Sequence, residues 1–313
     1  MTRAALPSRV RLIEVGPRDG LQNEPVDIPT EAKTHFVDLL SAAGCGTIEV
    51  TSFVHPRAVP RMADADRLLP AIEHRPGTRY VVLVPNPRGL ERALAAGARD
   101  IALFTAATES FARANINRTI AESLEDARAV IDASRPLGVR VRAYISVAFG
   151  CPFEGAVSPD AVAVVAEQLL ERGADEIGIG DTIGVATPAD VHVLMDRLGA
   201  IAPPGTWGMH FHDTRGTALM NVLASLEDGV TTFDSSAGGL GGCPFAGPNA
   251  AGNVATEDLV YALDGMGIEH GVDLDGVRAA SGYIAAYLDH PLRSRVFQAG
   301  GRLVAQPRGT GHG

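Results

Sequence analysis

Short strand-like runs, apolar-rich at 11–16, alternate with longer stretches of helical periodicity along almost the whole chain. The runs fall at 11–16, 47–53, 79–84, 100–105, 140–147, 176–180, 206–212 and 231–236. Runs of this length, bounded by turn residues, predict strands. Between them apolar positions recur at a helical period over 30–43, 90–96, 120–134, 159–172, 188–201 and 217–228. Pro29-Thr30 is a start signal for the first of these helices and Gly44 a stop. Eight strands alternating with helices imply parallel pairing, and such units close most simply into a (β/α)8 TIM barrel. The whole of 1–313 is expected to be a single domain, the barrel over about 10–270 and additional C-terminal helices and a tail over about 271–313. Within that last part 274–297 predicts one or two helices, and Gln298–Gly313 is expected to fray. A doubly wound open sheet would carry G-x-G-x-x-G after its first strand. The chain instead reads Glu14-Val15-Gly16-Pro17-Arg18-Asp19-Gly20.

Composition narrows the partners. With 46% hydrophobic residues there is ample material for a core, and 35 glycines suit many tight turns between strands and helices. A net charge of −10 gives no basic footprint, so no nucleic acid is expected as a partner. Cys45, Cys151 and Cys243 lie far apart with no C-x-x-C spacing, against a disulfide scaffold or a zinc ribbon. No apolar run approaches the ~18 residues of a membrane span, and the start has no apolar signal segment. The expectation is a cytoplasmic protein with no membrane partner.

The polar residues carry the chemistry. His210 and His212 share one strand face, roughly 7 Å apart along the backbone. Two imidazoles on one face can hold a divalent cation when a hard oxygen ligand joins them; the plainer alternative is one hydrogen-bonded core histidine and one facing solvent. In a barrel, reacting groups collect at the carboxyl ends of the strands. There the sequence puts Arg18, Asp19, Gln22 and Asn23 after the first strand and Glu49 on the second. Arg142, Tyr144 and Ser146 share a face of the fifth, and Asp181-Thr182 end the sixth. Asp19 is the natural third ligand, and an amide oxygen with waters would shift the preference toward octahedral Mg²⁺ or Mn²⁺. Arg18 either pairs with Glu49 or Asp181 or holds a developing oxyanion. Glu14, Glu49 and Asp181 read as groups that orient Arg18 and the ligands. The glycine-rich loop 238–253 sets a lone thiol, Cys243, beside Pro244. It is either a mobile loop delivering a reactive side chain, or a phosphate cradle or surface loop with an incidental cysteine.

Several longer stretches point to a family. Glu14–Glu24 (EVGPRDGLQNE), Thr51–Val54, Gly150–Gly155 (GCPFEG), Gly180–Val185 (GDTIGV), His210–Asp213, Gly239–Pro244 (GLGGCP) and Gly252–Tyr261 resemble hydroxymethylglutaryl-CoA lyase, in register from about residue 10 to about 290. The resemblance implies a (β/α)8 barrel that cleaves 3-hydroxy-3-methylglutaryl-CoA to acetyl-CoA and acetoacetate with Mg²⁺ or Mn²⁺, as a homodimer or higher homo-oligomer. It implies Asp19, His210, His212 and Asn253 as metal ligands, and Arg18 as the cation that stabilises an enolate. Cys243 is implied in proton transfer, His210 as the base for the substrate hydroxyl, and Glu49 and Asp181 as acidic residues needed for activity. Glu14 and Gln22 take supporting places, with Gln22, Tyr144 and Ser146 expected beside Arg18 at the substrate.

The chain departs from the family pattern at Pro25, where lysine is common, at Arg215, where tyrosine is usual, and in a longer Cys243–Asn253 segment. These departures extend the implied substrates to citramalyl-CoA or a branched 3-hydroxyglutaryl-CoA. Claisen condensing enzymes resembling isopropylmalate synthase share the Arg-Asp pair and the H-x-H strand. They carry a long C-terminal extension and lack the Gly-Gly-Cys-Pro loop. A barrel without activity, kept as a binding protein, would have no reason to keep the ligand set together.

Overall fold

The computed structural model describes residues 6–242, 245, 247 and 250–300. Eight parallel strands form a closed barrel: β1 (Arg11–Glu14), β2 (Thr47–Ser52), β3 (Arg79–Leu83), β4 (Asp100–Ala106), β5 (Arg140–Ser146), β6 (Glu176–Asp181), β7 (Trp207–Phe211) and β8 (Thr232–Ser235). Each strand pairs with its neighbours in sequence, and β8 returns to β1 with Glu14 beside Ser235. The expected TIM barrel is thus the observed fold.

Period-two alternation sorts each strand into an outer and an inner pleat. Trp207, Met209, Phe211 and Phe233 are buried completely or nearly so and join the large core that the strands share with the surrounding helices. The inner pleat carries a separate apolar cluster, Val81, Leu83, Ala102 and Tyr144, together with charged groups. A barrel interior of this size is filled by side chains. Gly208 and Gly178 are open there because a Cβ would lie 2.4 Å from the Arg142 guanidinium and from the Tyr144 ring, respectively.

Helices α1 (Thr30–Ala42), α2 (Ala65–Ala71), α3 (Pro87–Ala95), α4 (Glu109–Ile116), α5 (Ile120–Ser134), α6 (Pro159–Arg172), α7 (Pro188–Gly199), α8 (Ala218–Glu227) and α9 (Thr256–Met266) follow the strands. Beyond them lie α10 (Leu274–Ala285) and the short α11 (Arg295–Gln298), which divide the expected 274–297 helical region between them. Thr119 closes a capping box with Glu122 at the start of α5, which fixes that boundary. Helices α2, α4 and α9 go beyond the six predicted before residue 270. The first two span only 7 and 8 residues, and α2 contains Pro70, so a helical period has little length over which to show. A small hairpin, Gly150–Cys151 with Gly155–Ala156, also departs from the simple alternation.

A larger difference lies after β1. The strand stops at Glu14, two residues short of the expected 11–16 run, and Gly16–Gly20 forms a single wide π-type turn. The Val15 carbonyl accepts from the amides of Arg18, Asp19 and Gly20 at 3.2, 2.8 and 3.2 Å. Isolated turns of this kind concentrate at functional sites. Here it presents Arg18 and Asp19 from consecutive positions at the barrel mouth.

Candidate metal and active site

The last residues of β7 and the chain beyond the glycine-rich loop form the base of the site. His212 pairs with Asn253 in an isolated antiparallel bridge, closed by Asp213 N–H to Gly252 O at 3.0 Å and Val254 N–H to Phe211 O at 3.0 Å. Gly252 is required by close approach, since a Cβ there would sit 2.4 Å from Gly239 O. The bridge sets Asn253 beside the H-x-H strand although 40 residues separate it from Asp213 in the chain.

Asp19, His210 and His212 converge, with ligand atoms all within 4.8 Å of one another. Among the described residues this is the only such group of His, Cys, Asp and Glu. The two Nε2 atoms face each other at 3.2 Å, and Asp19 Oδ2 lies 4.0 Å from His210 Nε2. Asn253 Nδ2 donates to Asp19 Oδ2 at 2.8 Å and to Leu240 O at 3.1 Å, leaving its Oδ1 buried with no hydrogen-bond partner. A buried amide oxygen without a donor is costly unless something else satisfies it. Two imidazole nitrogens, a carboxylate and this oxygen fit a divalent cation, with the oxygen donors favouring a hard ion.

Electrostatics keep Asp19 and His212 in ligand form. Burial works against ionisation of Asp19, yet Arg18 and the two histidines bring its carboxyl down to about 2. Burial and the neighbouring His210 push His212 down to about 4, so it is neutral with a lone pair available. Burial also lowers His210, but its hydrogen bond to Asp234 outweighs that and raises its pKa overall.

Arg18 is almost fully buried, with Nε on Glu49 Oε1 at 2.6 Å and Nη1 on Asp19 Oδ1 at 2.8 Å. The Tyr144 hydroxyl donates to the other oxygen of Glu49 at 3.2 Å. Of the two expected partners for Arg18, the one it meets is Glu49. A cavity of about 500 Å³ opens above, lined by Arg18, Asp19, Gln22, Tyr144, Ser146, His210 and His212 together with apolar residues that include Phe104 and Phe111. Cys243 lies outside the described residues; Phe245, two positions on, packs edge-on against Phe111 at this cavity.

Glu14 and Asp181 differ from expectation, since neither meets Arg18 or the ligands. Glu14 Oε1 accepts from the amides of Gly16 and Ala237, and Oε2 accepts from the Thr256 hydroxyl. Asp181 accepts from the amides of Val185 and Ala186 at 2.9 and 3.0 Å. Both carboxylates pin loops around the site, and burial raises them to about 7 and about 6. Asp234, not among the expected site residues, is buried on β8 with Oδ2 3.0 Å from His210 Nδ1. Its only sequence signal was a lone carboxylate on the eighth strand, among threonines and serines around Phe233.

Glu257, also missed, ties Gly238 and Ser281 together at the root of the glycine-rich loop. Burial raises its carboxyl from 4.5 to about 7. A raised folded-state pKa contributes stability that is present below the unfolded value and lost as pH rises through the folded one. Wild type should therefore lose stability relative to Glu257→Gln between pH 4.5 and about 7, at most about 1.4 kcal/mol per pH unit. Urea midpoints for both proteins across that window check this, and parallel curves would refute it.

The HMGL-like family model matches residues 9–284. The chain belongs to the HMGL-like family. It is 48% identical over 296 residues to the rat cytoplasmic 3-hydroxy-3-methylglutaryl-CoA lyase, covering 95% of this chain and 86% of that protein. The crystal structure of hydroxymethylglutaryl-CoA lyase from Pseudomonas aeruginosa aligns with a TM-score of 0.91 at 47% identity, covering 94% of this chain and 98% of that one. An HMG-CoA lyase from Acinetobacter baumannii in complex with coenzyme A and 3-methylmalate aligns with a TM-score of 0.91 at 36% identity, covering 97% and 99%. Among HMGL-like proteins, then, this chain has the Asp19, His210, His212 and Asn253 cluster at the base of its cavity.

Proposed function

We propose that the protein is a metal-dependent carbon–carbon lyase that cleaves 3-hydroxy-3-methylglutaryl-CoA to acetyl-CoA and acetoacetate. The observation that carries this is the ligand cluster beside a buried arginine at the base of a cavity of about 500 Å³. Similarity to HMG-CoA lyases over nearly the whole chain supports it and favours neither a condensing synthase nor an inactive barrel.

Asp19, His210, His212 and Asn253 would hold Mg²⁺ or Mn²⁺. Such an ion supplies Lewis acidity that makes a substrate hydroxyl easier to deprotonate. As the 3-hydroxyl passes its proton to a solvent base in the cavity, the O–H electron pair forms the C3 carbonyl of acetoacetate, the C2–C3 bond breaks, and that bond's pair moves onto the thioester carbonyl. Arg18 stabilises that enolate: Nε and Nη1 are held by Glu49 and Asp19, leaving Nη2 for the oxygen. Glu49, braced by Tyr144, fixes the guanidinium. Protonation at C2 releases acetyl-CoA, and Cys243 is the proposed proton source. Gln22, Tyr144 and Ser146, which line the cavity, would contact the substrate beside Arg18. Ligation and proton acceptance by His210 both need Nε2, because Nδ1 faces Asp234; we assign that nitrogen to ligation. Glu14 and Asp181 act through the loops they pin.

We place the enzyme in the cytoplasm, as a homodimer or higher homo-oligomer. Among the described residues no helix is long and apolar enough to cross a membrane. The test is acetyl-CoA release from 3-hydroxy-3-methylglutaryl-CoA, citramalyl-CoA and branched 3-hydroxyglutaryl-CoA, with Mg²⁺, with Mn²⁺ and after chelation. Metal-dependent turnover of the first substrate is expected to dominate. No turnover of any 3-hydroxyacyl-CoA would overturn the assignment.

A further inference from the structure

The chemistry above uses His210 but not the groups behind it. Asp234 stands in register with His210 on the adjacent strand, and its Oδ2 lies 3.0 Å from His210 Nδ1. Its other oxygen forms an ion pair with Arg142 Nη1 at 2.7 Å. The same guanidinium reaches Glu176 Oε1 at 3.2 Å, and Glu176 pairs in turn with Arg11. Positive and negative groups therefore alternate from β1 across the barrel interior to His210. Two open positions make room for the chain, since side chains at Gly208 or Gly178 would strike Arg142 or Tyr144. The Arg142 guanidinium also lies over the Tyr144 ring, 4.7 Å from its centre.

We propose that Asp234 is a positioning residue: held by Arg142, it accepts the Nδ1 proton of His210 and turns the Nε2 lone pair toward Asp19 and His212. This rests on the reading of those residues as a divalent-metal site. A neutral imidazole carries a single N–H, so the nitrogen that bears it decides whether Nε2 can ligate. Outer partners of ligating histidines commonly serve this purpose.

Asp234→Asn separates positioning from packing. Arg142 has no acceptor of its own and keeps the amide oxygen. The amide NH₂ then faces His210 Nδ1 and donates to it, which moves the ring proton to Nε2, a wrong-tautomer effect known for an isosteric Asp→Asn change behind a histidine. The experiment uses ¹⁵N-histidine NMR of the metal-free protein at a pH where the ring is neutral, alongside direct Mn²⁺ titration. Wild type should show Nδ1–H at His210 and Asp234→Asn Nε2–H, with Mn²⁺ affinity lower by about 10–100-fold. Asp234→Glu, which keeps the charge, should retain the Nδ1–H tautomer.

An unchanged tautomer in Asp234→Asn overturns the proposal, as does Mn²⁺ affinity within about threefold of wild type. If Asp234→Asn does not fold, the wild-type spectrum decides, because Nε2–H at His210 there is incompatible with the proposal. A wild type that shows the expected tautomer and its shift but takes up no Mn²⁺ would overturn the metal reading while supporting the role of Asp234.

Discussion

Arg18→Gln is expected to lower kcat by about a thousandfold or more while leaving divalent-metal affinity intact or slightly tighter. The first half follows from the moment at which the arginine acts. Negative charge reaches the thioester oxygen only as the carbon–carbon bond breaks, and a buried donor already aimed at it needs no reorganisation. Loss of one such donor costs about 10²–10³ in turnover. Removing a full charge beside Glu49 adds to that, since this buried carboxylate would lose its 2.6 Å partner. The second half follows from Coulomb's law. Arg18 Nη1 sits 2.8 Å from Asp19 Oδ1, so the cation competes with a divalent ion for the same carboxylate. Glutamine removes that competition. Single-turnover acetyl-CoA release and Mn²⁺ titration on the same preparation check both halves. A loss of turnover under about tenfold, below the cost of a single oxyanion donor, would refute the enolate role.

How much of this was legible depends on the kind of signal each residue leaves. The strands are short runs of strand-forming residues set apart by helical periods, a pattern that implies parallel pairing and closure, so the barrel could be read directly. The H-x-H strand was legible because strand geometry puts alternate residues on one face, and Arg18-Asp19 because it follows the first strand at the mouth. Asn253 came only through the family resemblance. Its place beside His212 depends on a bridge between residues far apart in sequence, formed by backbone amides that leave no compositional trace. The same limit explains Glu14 and Asp181. Both are carboxylates at strand ends, and what separates a loop pin from a group facing Arg18 is which backbone N–H groups come near, a matter of turn geometry. Asp234 was missed for the opposite reason: a lone carboxylate on an inner pleat gains meaning only from His210 and Arg142 on two other strands.

His212→Ala tests the site at its centre, and it is expected to abolish metal binding and cleavage together. His212 is 4% exposed, and its Nε2 lies 3.2 Å from that of His210. Two neutral imidazole nitrogens at that separation either share one hydrogen or turn two lone pairs on one cation. Burial and His210 hold His212 neutral at a pKa of about 4, so at neutral pH it carries no charge to repel an ion. Alanine removes one of two nitrogen ligands and leaves Asp19, His210 and the Asn253 oxygen. The loss in affinity should exceed the 10–100-fold typical of an outer partner.

The decisive readout need not be activity. A ligand that binds only the folded state stabilises it by about 2.7 kcal/mol at a hundred times its Kd. Mn²⁺ should therefore raise the wild-type Tm by several degrees and leave that of His212→Ala unmoved. The variant's metal-free Tm should stay near that of metal-free wild type, because the histidine packs around the ion's position and contributes little to the helix-facing core. Equal Mn²⁺ shifts in the two proteins would remove His212 from the ligand set. Full cleavage by a metal-free variant would remove the metal from the reaction altogether.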